Sequence, residues 1–180
     1  SIPGFSSAIP SYHHKCIGGY SAVKMQRYDD LLKHYLNHEV NEFRQVEEHL
    51  WKMHEEEEIS TEELYHTLDY VMGTCVPLCS MLNGKYIIGN YSLYENSYAF
   101  GNCWFINDYI TAATPDKELE LIGEIDLYET AVIGDDFAWA KDILDREENL
   151  GSADDYIELT HYAPNELRYT FGTESERVVL

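Results

Sequence analysis

Four sets of residues in this chain have the types and spacing that chemistry needs. His34, His38 and Glu42 recur at i, i+4 and i+8, which on a helix stacks two imidazoles and a carboxylate along one face, where they could share a metal ion. The zinc-protease string His-Glu-x-x-His, with its glutamate aimed at a bound water, does not occur. The simpler reading is a solvated polar face, and neither a metal nor a cofactor is expected. His13 and His14 precede Cys16, but neighbours on an extended chain face opposite ways, so a packed loop is favoured over a nucleophile–base dyad. Asp135-Asp136 and Asp154-Asp155, with Asp142, Asp145 and Glu147, offer oxygens for calcium or an acid and a base for glycoside hydrolysis. No Asp-x-Asp-x-Asp-Gly loop is present, and in a chain with 33 acids such neighbours arise cheaply. The fourth set is aromatic: 15 Tyr, 6 Phe and 3 Trp. Most must build core, while Tyr91, Tyr94, Tyr98, Trp104 and Tyr109 are the candidates for ligand recognition at the surface, where such rings stack on sugars or fill interfaces.

Other chemistries lack their residues. Gly18-Gly19 has no spaced glycines, lysine and following helix for a phosphate loop, and Gly84, Gly89 and Gly101 match no dinucleotide fingerprint. Of the four cysteines, Cys75 and Cys79 stand one helical turn apart with Pro77 between them. The shorter paired spacing of structural zinc is missing, and free, buried cysteines are expected rather than a disulfide. Twelve Lys and Arg against 33 Asp and Glu give a net charge of −21. Residues 1–54 are balanced, so residues 55–180 carry all of that charge, and nucleic acid and anionic membrane surfaces are excluded as expected partners. No apolar stretch reaches the 18 residues of a membrane span.

Several elements must position these residues. From Met25 to His54 apolar positions recur every three or four residues without Pro or Gly, which predicts one long amphipathic helix with Phe43 and Leu50 inward. Ser60 three residues before Glu63 predicts a capping box opening a second helix, with Leu64, Leu68, Val71 and Met72 buried and Gly73 as its terminus. The two should form an antiparallel hairpin. Asn83-Gly84 reads as a tight turn into a strand over Lys85 to Gly89, whose continuous bulk suggests both faces are covered. A strand over Cys103 to Ala113, a helix opened by Thr114-Pro115 and ended at Gly123, and a strand over Thr130 to Ile133 follow. Phe137 to Asp145 reads as helical. Ile157, Leu159, His161 and then Leu167, Tyr169, Phe171 alternate with polar residues around Pro164-Asn165, predicting an antiparallel β-hairpin. The fold class is α+β in three parts: a lead-in and helical hairpin at 1–82, a small central mixed α/β unit at 83–151 sharing that core, and a C-terminal β-rich unit from 152 to 180 that stops within a strand and so reads as truncated.

Three strings carry more than composition. Residues 11–28, SYHHKCIGGYSAVKMQRY, resemble a segment that follows the main membrane helices in the YfhO family of bacterial polytopic membrane proteins, with its S-Y-x-H-K-S-I-G-G-Y-x-x-x-K-x-x-R-Y pattern. LCSMLNGKYIIG at 78–89 is similar to the family's L-N-M-L-N-x-K-Y segment, and FGNCWF at 100–105 to its G-N-A-W-F segment. Looser likenesses follow at 124–133 and 156–171, and Cys16 and Cys103 stand where the pattern has Ser and Ala. The resemblance implies a soluble region facing the periplasm or cell exterior, next to the membrane-embedded portion of a glycosyltransferase that uses lipid-linked sugars. It also implies a cell-envelope glycan as a partner and carries over no catalytic residue, since the family's catalytic acids lie in early loops. The expected function is a non-catalytic extracytoplasmic domain helping to shape an acceptor site. The alternatives are a carbohydrate-binding module or an acid–base glycoside hydrolase.

Overall fold

Thirty residues free of Pro and Gly between Met25 and His54 leave the backbone little choice but helix. The computed structural model describes Phe5 and residues 15–19, 25–137, 154–174 and 178–179. Helical backbone runs unbroken from Gln26 to Glu55 as α1 (Gln26–Leu31), a π-helical turn (Leu32–Leu36) and α2 (Asn37–Glu55). At the wide turn the Asn37 backbone N–H bonds the Leu32 carbonyl, and Asn37 Nδ2 reaches the same oxygen at 2.6 Å. Leu32, Leu36, Glu39, Phe43, Glu47 and Leu50 are buried along one side, and His34, His38 and Glu42 lie exposed on the other. His38 and Glu42 form only a loose surface ion pair at 3.8 Å.

The helix ends where like charges crowd at Glu55 to Glu58. Glu57 takes the left-handed conformation at φ 60°. Its N–H bonds the His54 carbonyl at 3.1 Å, while the Glu58 N–H bonds that of Met53 at 2.9 Å, a closure usually built on glycine. Helix α3 (Thr61–Cys75) opens with the predicted capping box, Ser60 Oγ accepting from the Glu63 N–H at 3.2 Å and Glu63 Oε2 from the Ser60 N–H at 2.9 Å. Leu64, Leu68 and Met72 are buried as α3 folds back antiparallel against α2. Gly73 does not terminate this helix. It lies within the last turns, where a Cβ would meet the Tyr98 ring at 2.8 Å, so the glycine is a seat for an aromatic ring.

After α4 (Pro77–Met81), Asn83 turns the chain at φ 56° into β1 (Tyr86–Ile88), which pairs antiparallel with β2 (Leu93–Glu95). The inner pair, Ile87 and Tyr94, is buried, and Tyr94 meets Phe43 edge to face with ring centres 5.4 Å apart. The outer side is open: Tyr86, Ile88 and Leu93 are 62%, 47% and 61% exposed. The expectation that both faces of this strand are covered is therefore corrected. The lead-in joins the same body, as Tyr28 Oη donates to the Ile17 carbonyl, and a Cβ on Gly84 would meet Ile17 Cδ1 at 3.0 Å.

The chain divides into two units, Ser1–Ala99 and Phe100–Leu180, so the boundary falls beyond residue 82 because the β1–β2 hairpin is fastened to α2. In the second unit β3 (Phe105–Ile106) pairs antiparallel with β8 (Val178–Val179). Strand β4 (Asp108–Ala112), α5 (Pro115–Ile122) and β5 (Thr130–Gly134) form a parallel crossover. Thr114 Oγ1 caps α5 by accepting from the Lys117 N–H at 3.2 Å, with Pro115 at the first helical position. The helix expected over 137–145 lies outside the described residues except at Phe137, which closes a 3-10 turn from Asp135. Strands β6 (Tyr156–Ala163) and β7 (Glu166–Gly172) form the predicted hairpin. A bulge between Leu159 and His161 shifts the phase, so that Tyr162 rather than His161 continues the apolar side opposite Leu167. Alternation alone had placed His161 there.

Two substitutions test these assignments. Glu57→Gly should stabilise the protein by about 0.5–1 kcal/mol, because it removes a Cβ from a left-handed residue, raising the denaturant midpoint without altering its slope. Phe43→Ala, at a fully buried ring, should cost about 3–5 kcal/mol in the same melts, against less than about 0.5 kcal/mol for exposed His34→Ala.

Candidate functional site

Glu47 is fully buried on α2, yet no base reaches its carboxylate among the described hydrogen bonds and ion pairs. Its oxygens instead accept from the Asn90 N–H at 2.6 Å, the Tyr91 N–H at 3.0 Å and Tyr94 Oη at 2.7 Å. Burying an unsatisfied carboxyl group is costly, and donors converging on both oxygens are what makes this one tolerable. Gly89 is needed at this point because a Cβ there would run into the carboxylate. One turn away, Arg44 donates from Nε at 3.1 Å and Nη2 at 2.9 Å to the Ile88 carbonyl, while Asn90 Nδ2 returns a 3.1 Å bond to the Arg44 carbonyl. Burial lowers the Arg44 pKa, an effect partly offset by nearby Glu47. The tip of the β1–β2 hairpin is thus clamped to a single stretch of α2.

The clamp carries an aromatic layer. Trp51 Nε1 donates to Tyr94 Oη at 3.0 Å, and its indole stacks on Tyr91 with centres 5.4 Å apart and planes 20° apart. His54 meets the same indole edge-on at 5.9 Å. Burial, reinforced by Glu47, pushes the Tyr94 phenol far above its ordinary range, so its proton stays in place. Tyr91 is 51% exposed and offers an open ring, whereas Tyr94 is 8% exposed. Tyr94 therefore supports the layer from beneath and presents no face to a ligand, unlike the surface role its sequence suggested.

The remaining aromatic candidates stand apart. Tyr98 lies over Gly73 with its hydroxyl 3.2 Å from Asp69 Oδ2, and Ser97 Oγ donates to Asp69 Oδ1 at 3.3 Å; its exposure comes with a packing role. Trp104 belongs to the second unit, where it packs on Phe100, which in turn packs on Tyr128. Its indole N–H is buried with no acceptor among the described residues. Tyr109 sits on β4, half-buried. Of the acidic pairs, Asp135, Asp136 and Asp154 are exposed, and Asp142, Asp145 and Glu147 lie outside the described residues, as do His13 and His14. No group of three or more metal-ligating side chains gathers among the described residues.

Glu39, two turns before Glu47, is the second buried acid. It accepts from the Leu78 N–H at 2.8 Å and the Cys79 N–H at 3.0 Å, meeting the otherwise unpaired amides that open α4. Burial raises its pKa above 4.5 despite those bonds, and burial next to Glu39 pushes the Cys79 thiol up. None of the four cysteines forms a disulfide, with Cys16 exposed and Cys79 buried. Neither glutamate was a candidate in the sequence, although a polar residue inside an apolar helical stripe was a signal: both stand in phase with Leu32, Leu36, Phe43 and Leu50.

No family model, curated protein or solved structure matches this chain. The site therefore rests on geometry alone.

Glu47→Ala would strand two backbone amides and a phenol, and should cost about 3 kcal/mol or more, with loss of the near-ultraviolet dichroism that the Trp51–Tyr91 stack generates. Gly73→Ala should destabilise by about 1–3 kcal/mol through overlap with Tyr98, and much of that loss should vanish in a Gly73→Ala, Tyr98→Ala double variant. For Glu39 the folded state holds its proton more tightly than the unfolded chain does. The stability of the native protein relative to Glu39→Gln should therefore fall as pH rises through the interval above 4.5; paired denaturant melts between about pH 4 and 7 would show the opposite slope if folding lowered this pKa.

Proposed function

We propose that the chain is a non-catalytic extracytoplasmic domain of a membrane glycosyltransferase, and that the Trp51–Tyr91 stack is a surface against which a cell-envelope glycan acceptor rests. The carrying observation is the half-exposed Tyr91 ring, stacked on Trp51 and held by its own backbone N–H on the buried Glu47. A ring held in this way is ready to cover the apolar face of a sugar without first being ordered. The deeply buried carboxylates Glu39 and Glu47 both hold backbone amides, which leaves them in structural roles. The likeness of residues 11–28, 78–89 and 100–105 to the YfhO pattern supports a place beside membrane-embedded helices, with those helices as the second partner. No described helix is itself long and apolar enough to cross a membrane. A free-standing carbohydrate-binding module would use the same stack, and the same measurement addresses it.

Purified chain should bind a subset of cell-envelope oligosaccharides with a change in Trp51 fluorescence. Tyr91→Ala should abolish that binding while leaving the melting curve nearly unchanged, and no turnover of glycosides or of lipid-linked sugar donors should accompany it. Robust turnover removed by one acidic substitution, or a Tyr91→Ala protein that binds as well as the original, would overturn the proposal.

A further inference from the structure

The surroundings of the stack restrict what it would bind. On α2, Glu48 and Glu55 stand three residues before and four after Trp51, placing both on its side of the helix. Both are exposed, and neither has an ion pair among the described residues. Of the nearby bases, Lys52 lies 3.8 Å from Glu56, Arg44 donates to the Ile88 carbonyl while keeping its charge near Glu47, and His54 meets the Trp51 indole edge-on. Lys85 precedes β1, at the opposite end of the hairpin from Tyr91. Residues 44–56 hold four acids, Glu47, Glu48, Glu55 and Glu56, against the bases Arg44 and Lys52, so acids are in excess on the stretch of chain that carries the stack, in a chain of net charge −21.

Resting on the reading of the stack as a glycan surface, we infer that the glycan it takes carries a free ammonium group, as a de-N-acetylated amino sugar does. The face of an electron-rich ring attracts a cation directly. Glu48 and Glu55 add attraction to the same charge, whereas a neutral sugar would gain only the stacking and a phosphorylated one would be repelled. Charge and ring thus select the same ligand class.

The test is calorimetric titration of the full chain with glucosamine oligomers, the matching N-acetylated oligomers and tetramethylammonium, at low and moderate salt. Glucosamine oligomers should bind roughly tenfold more tightly than the acetylated ones, with affinity falling as salt rises. Tyr91→Ala should abolish that binding and Tyr91→Phe should retain it. The Glu48→Gln, Glu55→Gln double variant should remove most of the preference while leaving the acetylated arm unchanged. Equal affinity for both oligomers would overturn the ammonium inference and leave the glycan reading standing. Binding of glucosamine oligomers that Tyr91→Ala leaves intact would also overturn it, as attraction by bulk charge only. If neither oligomer binds, the glycan reading fails. Tetramethylammonium then decides the rest: binding lost in Tyr91→Ala supports ammonium recognition, and no binding overturns it.

Discussion

The first unit depends on a buried carboxyl group that is held by backbone amides and a phenol, with no base bonded to it among the described residues. Glu47 is buried at the contact of α2 with the β1–β2 hairpin, where its oxygens are met by two backbone amides and a phenol. A carboxyl group removed from water without hydrogen-bond partners would be destabilising by about 1–3 kcal/mol or more, so those donors are obligatory. The requirement fixes the neighbourhood. Residue 89 has to be glycine, the turn at Asn90 and Tyr91 has to aim its N–H groups inward, and Tyr94 has to face the helix. A hairpin with strands of three residues is too short to hold itself together in water; this one is held by the acid beneath it.

Glu39 repeats the device two turns earlier, on the amides that open α4. Between them Phe43 supplies the apolar contact, and Leu50 continues it beyond Glu47. One face of one helix thus provides both the hydrophobic platform for α3 and the polar anchors for α4 and the hairpin. The same residue type does opposite work on the other faces, where exposed acids repel one another and interact with solvent. The Trp51–Tyr91 stack sits at the margin between these regimes. Its backbone is tied to a buried acid and its Tyr91 ring is half-exposed.

The second unit is organised by β geometry. The β4–α5–β5 crossover uses a proline-opened helix to bring two strands into parallel register. In the β6–β7 hairpin the pairs Ile157–Phe171, Leu159–Tyr169 and Tyr162–Leu167 are apolar, while Glu158–Thr170 and His161–Arg168 are polar. The bulge at Thr160, whose Oγ1 donates to the Arg168 carbonyl at 3.1 Å, keeps the apolar pairs in phase. One inserted residue decides which side chains share a side.

Local signals in the sequence were sufficient for the α+β class, the long helix and its outward His34, His38 and Glu42 face, the Ser60–Glu63 capping box, the Thr114-Pro115 helix start and the hairpin around Pro164-Asn165. Each follows from residues within a few positions of one another, because periodicity, capping and turn chemistry act over that range. The burial of Glu39 and Glu47, the seating of Tyr98 on Gly73, the separation of half-exposed Tyr91 from buried Tyr94, and the shift of His161 to the polar side were decided only by tertiary structure. A carboxylate reads as solvated until donors from a segment about 40 residues away converge on it. A glycine likewise reads as a helix end until a distant ring is placed against it, and a strand's phase is set by the partner it pairs with.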